Sequence, residues 1–357
     1  MKRTLYPILQ ALVAAVLFGA SAPFAKLLLG QIDPIPLAAF LYLGSGIGAW
    51  MIFVMQKAGN GGKQVEAHLS KADVPWLIGA ILAGGVAAPI LLMWGLNQTP
   101  ASTASLLLNF ESVATTLIAV LAFKEAVDRR ILWAIGLITL TSILISWTGG
   151  AWGISLGAIG VIGACFLWGI DNNLTRHISS KNPLVIVGVK GLAAGTVSLL
   201  LTFVLGKPLP IMSVALLAML LGSVCYGLSI QLFILAMRGL GAARTSTLFG
   251  IAPFVGTFLS VIMLHEMPQA LFWTAVPVML AGAWLMLTEH HDHHHIHESI
   301  EHIHAHAHDD HHEHTHQMDI PVVDGMHTHL HLHDVLEHVH EHTPDLHHRH
   351  GHAELTN

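Results

Sequence analysis

Four ionisable side chains lie inside long apolar stretches of this sequence, where lipid-like surroundings make charge costly. They are Lys26, Glu111, Asp171 and Lys190. A charged group at the centre of a bilayer costs roughly 2.5–3.5 kcal/mol on insertion scales, so such residues usually face a protein interior or a water-filled path. The four residues are therefore candidates for binding a solute or carrying a proton along such a path.

Asp171 and Lys190 are predicted to form an ion pair. Asp171 lies five residues before the end of one apolar stretch, and Lys190 lies seven residues after the start of the next. At about 1.5 Å rise per residue, their depths differ by only a few ångströms. The pair is either purely structural or a contact that opens and closes as the protein changes conformation.

Glu111 lies ten residues into its apolar stretch and has no obvious countercharge at that depth. A carboxyl buried without a countercharge favours its neutral form, which suits a group that takes up and releases protons. The plain alternative is a protonated Glu111 that is hydrogen-bonded within a helical bundle.

Asn109 belongs to a different face of the same helix. It continues a stripe of small polar residues at helical spacing, namely Ser102, Ser105, Asn109, Ser112 and Thr116. Because Glu111 lies well off that stripe, we expect the Asn109 face rather than Glu111 to point into a cavity.

Three consecutive polar residues, Asp171, Asn172 and Asn173, interrupt a later apolar stretch. Such a cluster should face protein or water, since lipid cannot satisfy its hydrogen bonds. The alternative interpretation is a frayed helix end.

The elements that must hold these residues are membrane helices. The chain is 53% hydrophobic and only 11% charged, well below the ~25% of soluble domains. Apolar stretches of roughly 20 residues can cross a bilayer as helices. The sequence predicts an all-α membrane protein with ten of them, at about 8–29, 35–55, 75–95, 101–123, 131–148, 153–176, 183–205, 212–237, 243–264 and 270–288.

The distribution of Lys and Arg predicts the orientation of these spans. With the N-terminus inside, 12 of these basic residues fall on the cytoplasmic side and at most two outside, as the positive-inside rule requires. We therefore expect an integral inner (plasma) membrane protein with both termini in the cytoplasm.

Two halves of the chain resemble each other. Residues 18–29 match 168–179 at an offset of 150, and residues 107–125 match 248–266 at an offset of 141. Five spans per half, an odd number, require the second half to be inverted in the membrane. Inverted repeats are typical of secondary transporters with a substrate site near the midplane. The expected units are residues 1–148, residues 149–288 and a tail over 289–357.

The tail differs in chemistry from the rest. It holds 25 of the 28 histidines, 14 acidic residues and one arginine, too few apolar residues for a packed core, so we expect it to be disordered. Neutral imidazoles with carboxylates suit Zn²⁺, Ni²⁺, Co²⁺ or Cu²⁺. The candidate metal ligands are His302, His304, His306, His308, His327, His329, His331, His333, His338 and His342.

The membrane part resembles a known family. The five-plus-five plan, the Gly- and Pro-rich opening of each half, and the endings Phe123-Lys124-Glu125 and Leu264-His265-Glu266 resemble the EamA-type transporters of the drug/metabolite transporter superfamily. The resemblance covers about residues 8–288. It implies export of amino acids, other metabolites or toxic compounds, and it leaves the tail outside the family pattern.

We therefore expect a secondary transporter that exports a small solute, in which Glu111, Asn109, Asp171, Asn172, Lys190 and Lys26 serve the pathway or its coupling. One alternative is a transition-metal exporter with the tail as buffer or sensor. Another is a membrane-tethered metal store that does not transport. No enzyme motif or nucleic-acid-binding pattern is present, no cofactor is required beyond metal ions on the tail, and a homodimer is left open.

Overall fold

The structure of the protein is a computed structural model. It describes residues 2–59, 69–123, 129–146, 155–178, 181–240, 248–268 and 270–287, and in the tail residues 291–297, 300–306, 327–333 and 336–342.

The described membrane part is helical throughout. Its α-helices, with bounds, are α1 Lys2–Leu28, α2 Pro34–Gly59, α3 Val74–Ala80, α4 Ala88–Gln98, α5 Ala101–Leu107, α6 Phe110–Phe123, α7 Arg129–Ser146, α8 Leu156–Arg176, α9 Pro183–Val204, α10 Met212–Leu221, α11 Ser229–Leu240, α12 Ala252–Met263 and α13 Ala270–Leu287. A short 3₁₀ turn, Lys71–Asp73, precedes α3.

Six helical segments in the described residues are long and apolar enough to cross a bilayer: Leu5–Leu28, Pro34–Ala58, Lys71–Gln98, Ala101–Ala122, Pro183–Val204 and Met212–Ala236. Three shorter apolar helices are Leu132–Ser146, Ala252–Met263 and Ala270–Leu285. Six of the ten expected spans thus meet this criterion. Helix α8 is not among the six segments. Its polar triplet, Asp171 to Asn173, lowers its mean hydropathy near one end.

Two spans contain a π-helical segment at related positions. The first, Ile81–Ala87, joins α3 to α4, and the second, Gly222–Leu228, joins α10 to α11. The two segments are offset by 141 residues, the same offset that relates residues 107–125 to 248–266. A π-helical turn holds an extra residue and widens the helix, and such turns are frequent at functional sites.

Helices α2 and α9 cross in close contact at glycines. A Cβ added to Gly191 would lie 2.6 Å from the Cα of Gly46, and one added to Gly195 would lie 2.6 Å from the backbone nitrogen of Leu43. Only residues without a side chain allow backbones to approach so closely, as in other membrane helix pairs. This crossing brings the two halves together at the centre of the molecule.

The remaining helices exchange partners between the halves. Helix α1 packs against α11 and α12, while α8 packs against α4 and α6. Under the sequence offsets, α8 corresponds to α1, and α4 and α6 correspond to α11 and α12. Helices α1, α2, α8 and α9 therefore surround a shared central space.

The described tail segments form four β-strands: β1 His291–His297, β2 Ile300–His306, β3 His327–His333 and β4 Leu336–His342. Strand β1 pairs with β4 and β2 pairs with β3, both antiparallel. The expectation that the free tail lacks a packed core stays a prediction. In β3 and β4, histidine alternates with Thr, Leu, Val or Glu, a pattern that is compatible with extended backbone.

Candidate functional site

A cavity of about 550 Å³ lies in the central space. Six aromatic rings, here called the aromatic wall, line much of it: Phe18, Tyr42, Trp168, Tyr226, Phe233 and Phe249. Neighbouring rings lie in contact, with centroids 4.8 Å apart for Phe233 and Phe249 and 5.4 Å apart for Phe18 and Phe249. Mainly apolar walls and a few polar groups are typical of small-molecule sites.

One side of the cavity is polar. This polar corner consists of Glu111 from α6, Asp171, Asn172 and Thr175 from α8, and Lys190 from α9. The start of α9 next to it is fixed by Asn182, whose Oδ1 accepts hydrogen bonds from the backbone nitrogens of Leu184 at 3.0 Å and Val185 at 3.4 Å.

The expected ion pair between Asp171 and Lys190 is present in the polar corner. The Asp171 side chain is 6% exposed and that of Lys190 is 18% exposed. Thr175 adds a hydrogen bond, donating from Oγ1 to Oδ1 of Asp171 at 2.9 Å. Each charge therefore has a partner, which offsets the cost of burial.

Glu111 has a polar neighbour that the sequence did not reveal. The Nδ2 atom of Asn172 donates to Oε1 of Glu111 at 2.9 Å and lies 3.2 Å from Oγ1 of Thr115. Glu111 is therefore not without a partner, although that partner is a neutral amide. Its carboxyl group lines the cavity.

Asn109 lies elsewhere. It is 6% exposed, its Nδ2 donates to the carbonyl of Leu106 at 3.0 Å, and it does not line the central cavity. The expectation that the Asn109 face points into the cavity assumed one continuous helix. The structure instead has a turn between α5 and α6, which changes the direction of side chains after it and turns Glu111 toward the cavity.

Gly84 is a positioning residue that the sequence analysis missed. It lies in the first π-helical segment, and its carbonyl oxygen accepts hydrogen bonds from the Tyr42 hydroxyl at 2.8 Å and the Trp168 indole nitrogen at 3.1 Å. A Cβ on Gly84 would collide with the carboxyl group of Asp171. The only sequence signal was the pair Gly84-Gly85 inside an apolar span.

Lys26 lies outside the cavity lining. Its ammonium donates to the carbonyl oxygens of Leu96, Asn97 at 3.2 Å and Thr99 at 2.8 Å, at the end of α4. The last carbonyls of a helix have no partners within the helix and carry partial negative charge. Lys26 is thus paired with backbone groups, whereas the sequence analysis placed it in the pathway.

Glu266 completes the same region. Its two carboxylate oxygens accept from the backbone nitrogens of Ala101 at 2.6 Å and Ser102 at 2.8 Å, at the start of α5. The preceding residue, His265, has a φ of 50°, a left-handed conformation that non-glycine residues seldom adopt. Lys26 and Glu266 together hold the hairpin between α4 and α5, here called the braced hairpin.

The candidate metal ligands of the tail lie in β2, β3 and β4, whose side chains the structure does not describe, except His308, which lies outside the described residues. In the β2–β3 pair the backbone register places His302 opposite His331, His304 opposite His329 and His306 opposite His327. In the part of the chain with described side chains, no group of three or more His, Cys, Asp or Glu residues could hold a metal ion.

Comparison with known proteins gives three consistent findings. The profile of the EamA-like transporter family matches residues 5–147 and again 155–288. An uncharacterized transporter of Methanothermobacter thermautotrophicus is 28% identical over 303 residues, covering 80% of this chain and 87% of that protein. A protein of known crystal structure shares the fold, with a TM-score of 0.56 and 19% identity over 77% of this chain and 94% of that one.

Proposed function

This chain belongs to the EamA-like transporter family, and from that premise we propose that it is a secondary transporter that exports a small organic metabolite or toxic solute through the central cavity. The observation that carries the proposal is the polar corner beside the aromatic wall. A solute with an apolar body and a polar head could bind there, because the cavity offers both kinds of contact.

The proposed architecture is ten spans in two inverted five-helix repeats, residues 1–148 and 149–288. Three observations support it. The family profile matches the chain twice, the two π-helical segments are offset like the repeated sequences, and equivalent helices exchange partners. In such repeats the substrate site lies between the halves, where the central cavity is found.

The proposed orientation places both termini in the cytoplasm. The cavity lining includes Thr175 and Pro183, which flank the connection that carries Lys181. Basic connections favour the cytoplasmic side. The braced hairpin then lies toward the outer face, and the part of the cavity lining at Thr175 and Pro183 lies toward the inside.

Glu111 is the proposed coupling residue. It lines the cavity, and its hydrogen-bond partner Asn172 is uncharged, so its carboxyl group can exchange a proton during the transport cycle. By contrast, the charge of Asp171 is already balanced by Lys190. A carboxyl group that exchanges protons makes transport depend on pH.

The test uses the full chain in sealed vesicles with an imposed pH gradient and a panel of small amines, amino acids and carboxylic acids. The wild-type protein should dissipate the gradient when a transported solute is added. Glu111→Gln should remove this dissipation and the pH dependence of transport, because an amide cannot exchange the proton. The matched control is Asp33→Asn, which removes only a 3.7 Å ion pair with Lys207 away from the cavity.

Gradient dissipation by Glu111→Gln at the wild-type rate would exclude the coupling role. Absence of any solute-dependent flux in the wild-type protein across the whole panel would contradict the transport proposal itself.

The tail has a separate proposed role, the binding of transition-metal ions as a buffer or sensor. Its histidine content and the paired histidines in the register of β2 and β3 support this. The membrane part gives no matching observation for a metal cargo, since its described side chains form no cluster of metal ligands. We therefore favour an organic solute as cargo.

A further inference from the structure

A second, smaller cavity adjoins the central one. Its volume is about 50 Å³, and it shares Pro183, Val187 and Ile234 with the lining of the central cavity. Its other lining residues are Gln56, Asn182, Leu184, Gly227, Gln231 and Leu235. A space of this size can hold a water molecule or one small polar group.

Gln231 places an unused acceptor at this cavity. It lies in the first turn of α11, directly after the second π-helical segment. Its Oε1 atom is buried, and within the part of the chain that the structure describes it has no hydrogen-bond partner. Buried polar atoms without partners are costly and rare in native proteins, so each needs an explanation.

The amides of Asn182 and Gln56, which line the same cavity, do not donate to Gln231, because its Oε1 has no hydrogen-bond partner among the described residues. The Asn182 side chain is oriented instead by capping α9, where its Oδ1 accepts from the backbone nitrogens of Leu184 and Val185. Gln231 is therefore an available acceptor at the smaller cavity, which adjoins the central one. A donor group of a bound molecule is the partner that this atom lacks.

The charges of the polar corner limit the rest of the ligand. When all three groups are ionised, two carboxylates, Glu111 and Asp171, face one ammonium, Lys190. This balance favours a cationic ligand over an anionic one. The aromatic wall adds ring faces, which attract a cation and pack against an apolar body.

We propose that Gln231 determines specificity by accepting a hydrogen bond from the transported solute, and that the solute is an organic amine with an apolar body and a second hydrogen-bond donor. The amine contacts Glu111, the body lies against the aromatic wall, and the second donor reaches Oε1 of Gln231. This inference rests on the proposed function, because it takes the central cavity to be the transport site.

The test measures binding to the full-length protein in lipid nanodiscs by calorimetry, with two amines that differ in one donor. Tyramine carries a phenolic hydroxyl, and 4-methoxyphenethylamine carries the same oxygen without its proton. The wild-type protein should bind tyramine about three- to tenfold more tightly, the range of one neutral hydrogen bond. The anion 3-(4-hydroxyphenyl)propionate should bind more weakly than tyramine.

Gln231→Leu should bring the affinity ratio of the two amines close to one and leave the affinity for 4-methoxyphenethylamine nearly unchanged. Gln231→Asn, which shortens the side chain by one methylene group, should give the same loss if Leu impairs folding. The control Gln98→Leu changes an exposed glutamine at the end of α4 and should keep the wild-type ratio.

A wild-type ratio of one, no binding of either amine, or an unchanged ratio in both Gln231 variants would overturn the inference. Failure of the proposed function gives a different result. In that case the amines would still bind in a manner that depends on Gln231, while no solute would dissipate the pH gradient in vesicles.

Discussion

Two groups of charged residues in the membrane body use the same residue types for different purposes. In the polar corner, Lys190 pairs with the side chain of Asp171, and Glu111 faces the cavity beside Asn172. In the braced hairpin, the hydrogen bonds of Lys26 and Glu266 go to backbone groups at two helix ends, as far as the described residues show, and the two opposite charges attract each other. The type of hydrogen-bond partner, side chain or backbone, separates the two groups.

The difference has a chemical consequence. An ammonium has three donors, and Lys26 directs hydrogen bonds to three carbonyls, so its capacity is filled. Each carboxylate oxygen of Glu266 accepts one backbone hydrogen bond. Glu111 keeps acceptor capacity for a proton or ligand. The braced hairpin is therefore a stabilising element. In the polar corner, by contrast, the protonation of Glu111 and the binding of a ligand can change.

The largest expected effect comes from Gly84→Ala, which breaks the polar corner. The added methyl group would collide with the carboxyl group of Asp171 and separate it from Lys190. Overpacking a filled core typically costs about 1–3 kcal/mol, and the separated charges add to that. We expect a large drop in the midpoint of thermal unfolding of the protein in nanodiscs, together with loss of transport.

The matched control for this change is Gly136→Ala. Gly136 lies in α7, and no atom of the described residues lies within 4 Å of a Cβ added there. Both variants replace a glycine within an apolar helical segment, so they differ mainly in the space available. A Gly84→Ala protein as stable as Gly136→Ala would show that the packing between the first π-helical segment and Asp171 is looser than described.

Glu266→Gln should have an intermediate effect, limited to stability. The amide keeps one oxygen acceptor but loses the charge and the second oxygen, both of which favour the start of α5. We expect a loss of about 1 kcal/mol, the usual size of a helix-cap substitution, with wild-type solute affinity and pH dependence. Glu111→Gln should show the reverse pattern in the same two measurements. A change in pH dependence in Glu266→Gln would remove the distinction between the two groups.

These contrasts also show what the sequence could reveal. Helix geometry alone predicted the contact of Asp171 with Lys190, because both residues lie at similar depths from known helix ends. Helix geometry did not predict that Glu111 lines the cavity and that Asn109 does not. The reason is that the turn between α5 and α6 carries no glycine or proline that would mark a break.

The sequence could not reveal the partners of Lys26 for another reason. They are the backbone carbonyls at the end of α4, near residue 96, and backbone groups are the same in every sequence. The site of such a contact depends on how distant helices pack. The unused acceptor of Gln231 was hidden in the same way, since a glutamine in an apolar helix gives no sign of whether its amide is paired.

Lys26→Met should have the smallest effect and tests the comparison most directly. The substitution removes the hydrogen bonds to the end of α4 and the attraction to Glu266, which lowers stability, but it also removes an ammonium from the membrane body, which relieves a burial cost. Because these contributions oppose each other, we expect a net loss of about 1 kcal/mol or less in thermal unfolding, within the range of helix-end charge effects. Solute affinity and transport rate should stay at wild-type values, since Lys26 does not line the cavity. Loss of solute binding with little change in stability would instead place Lys26 in the transport pathway, as its position in the sequence first indicated, and would make the braced hairpin a part of the site.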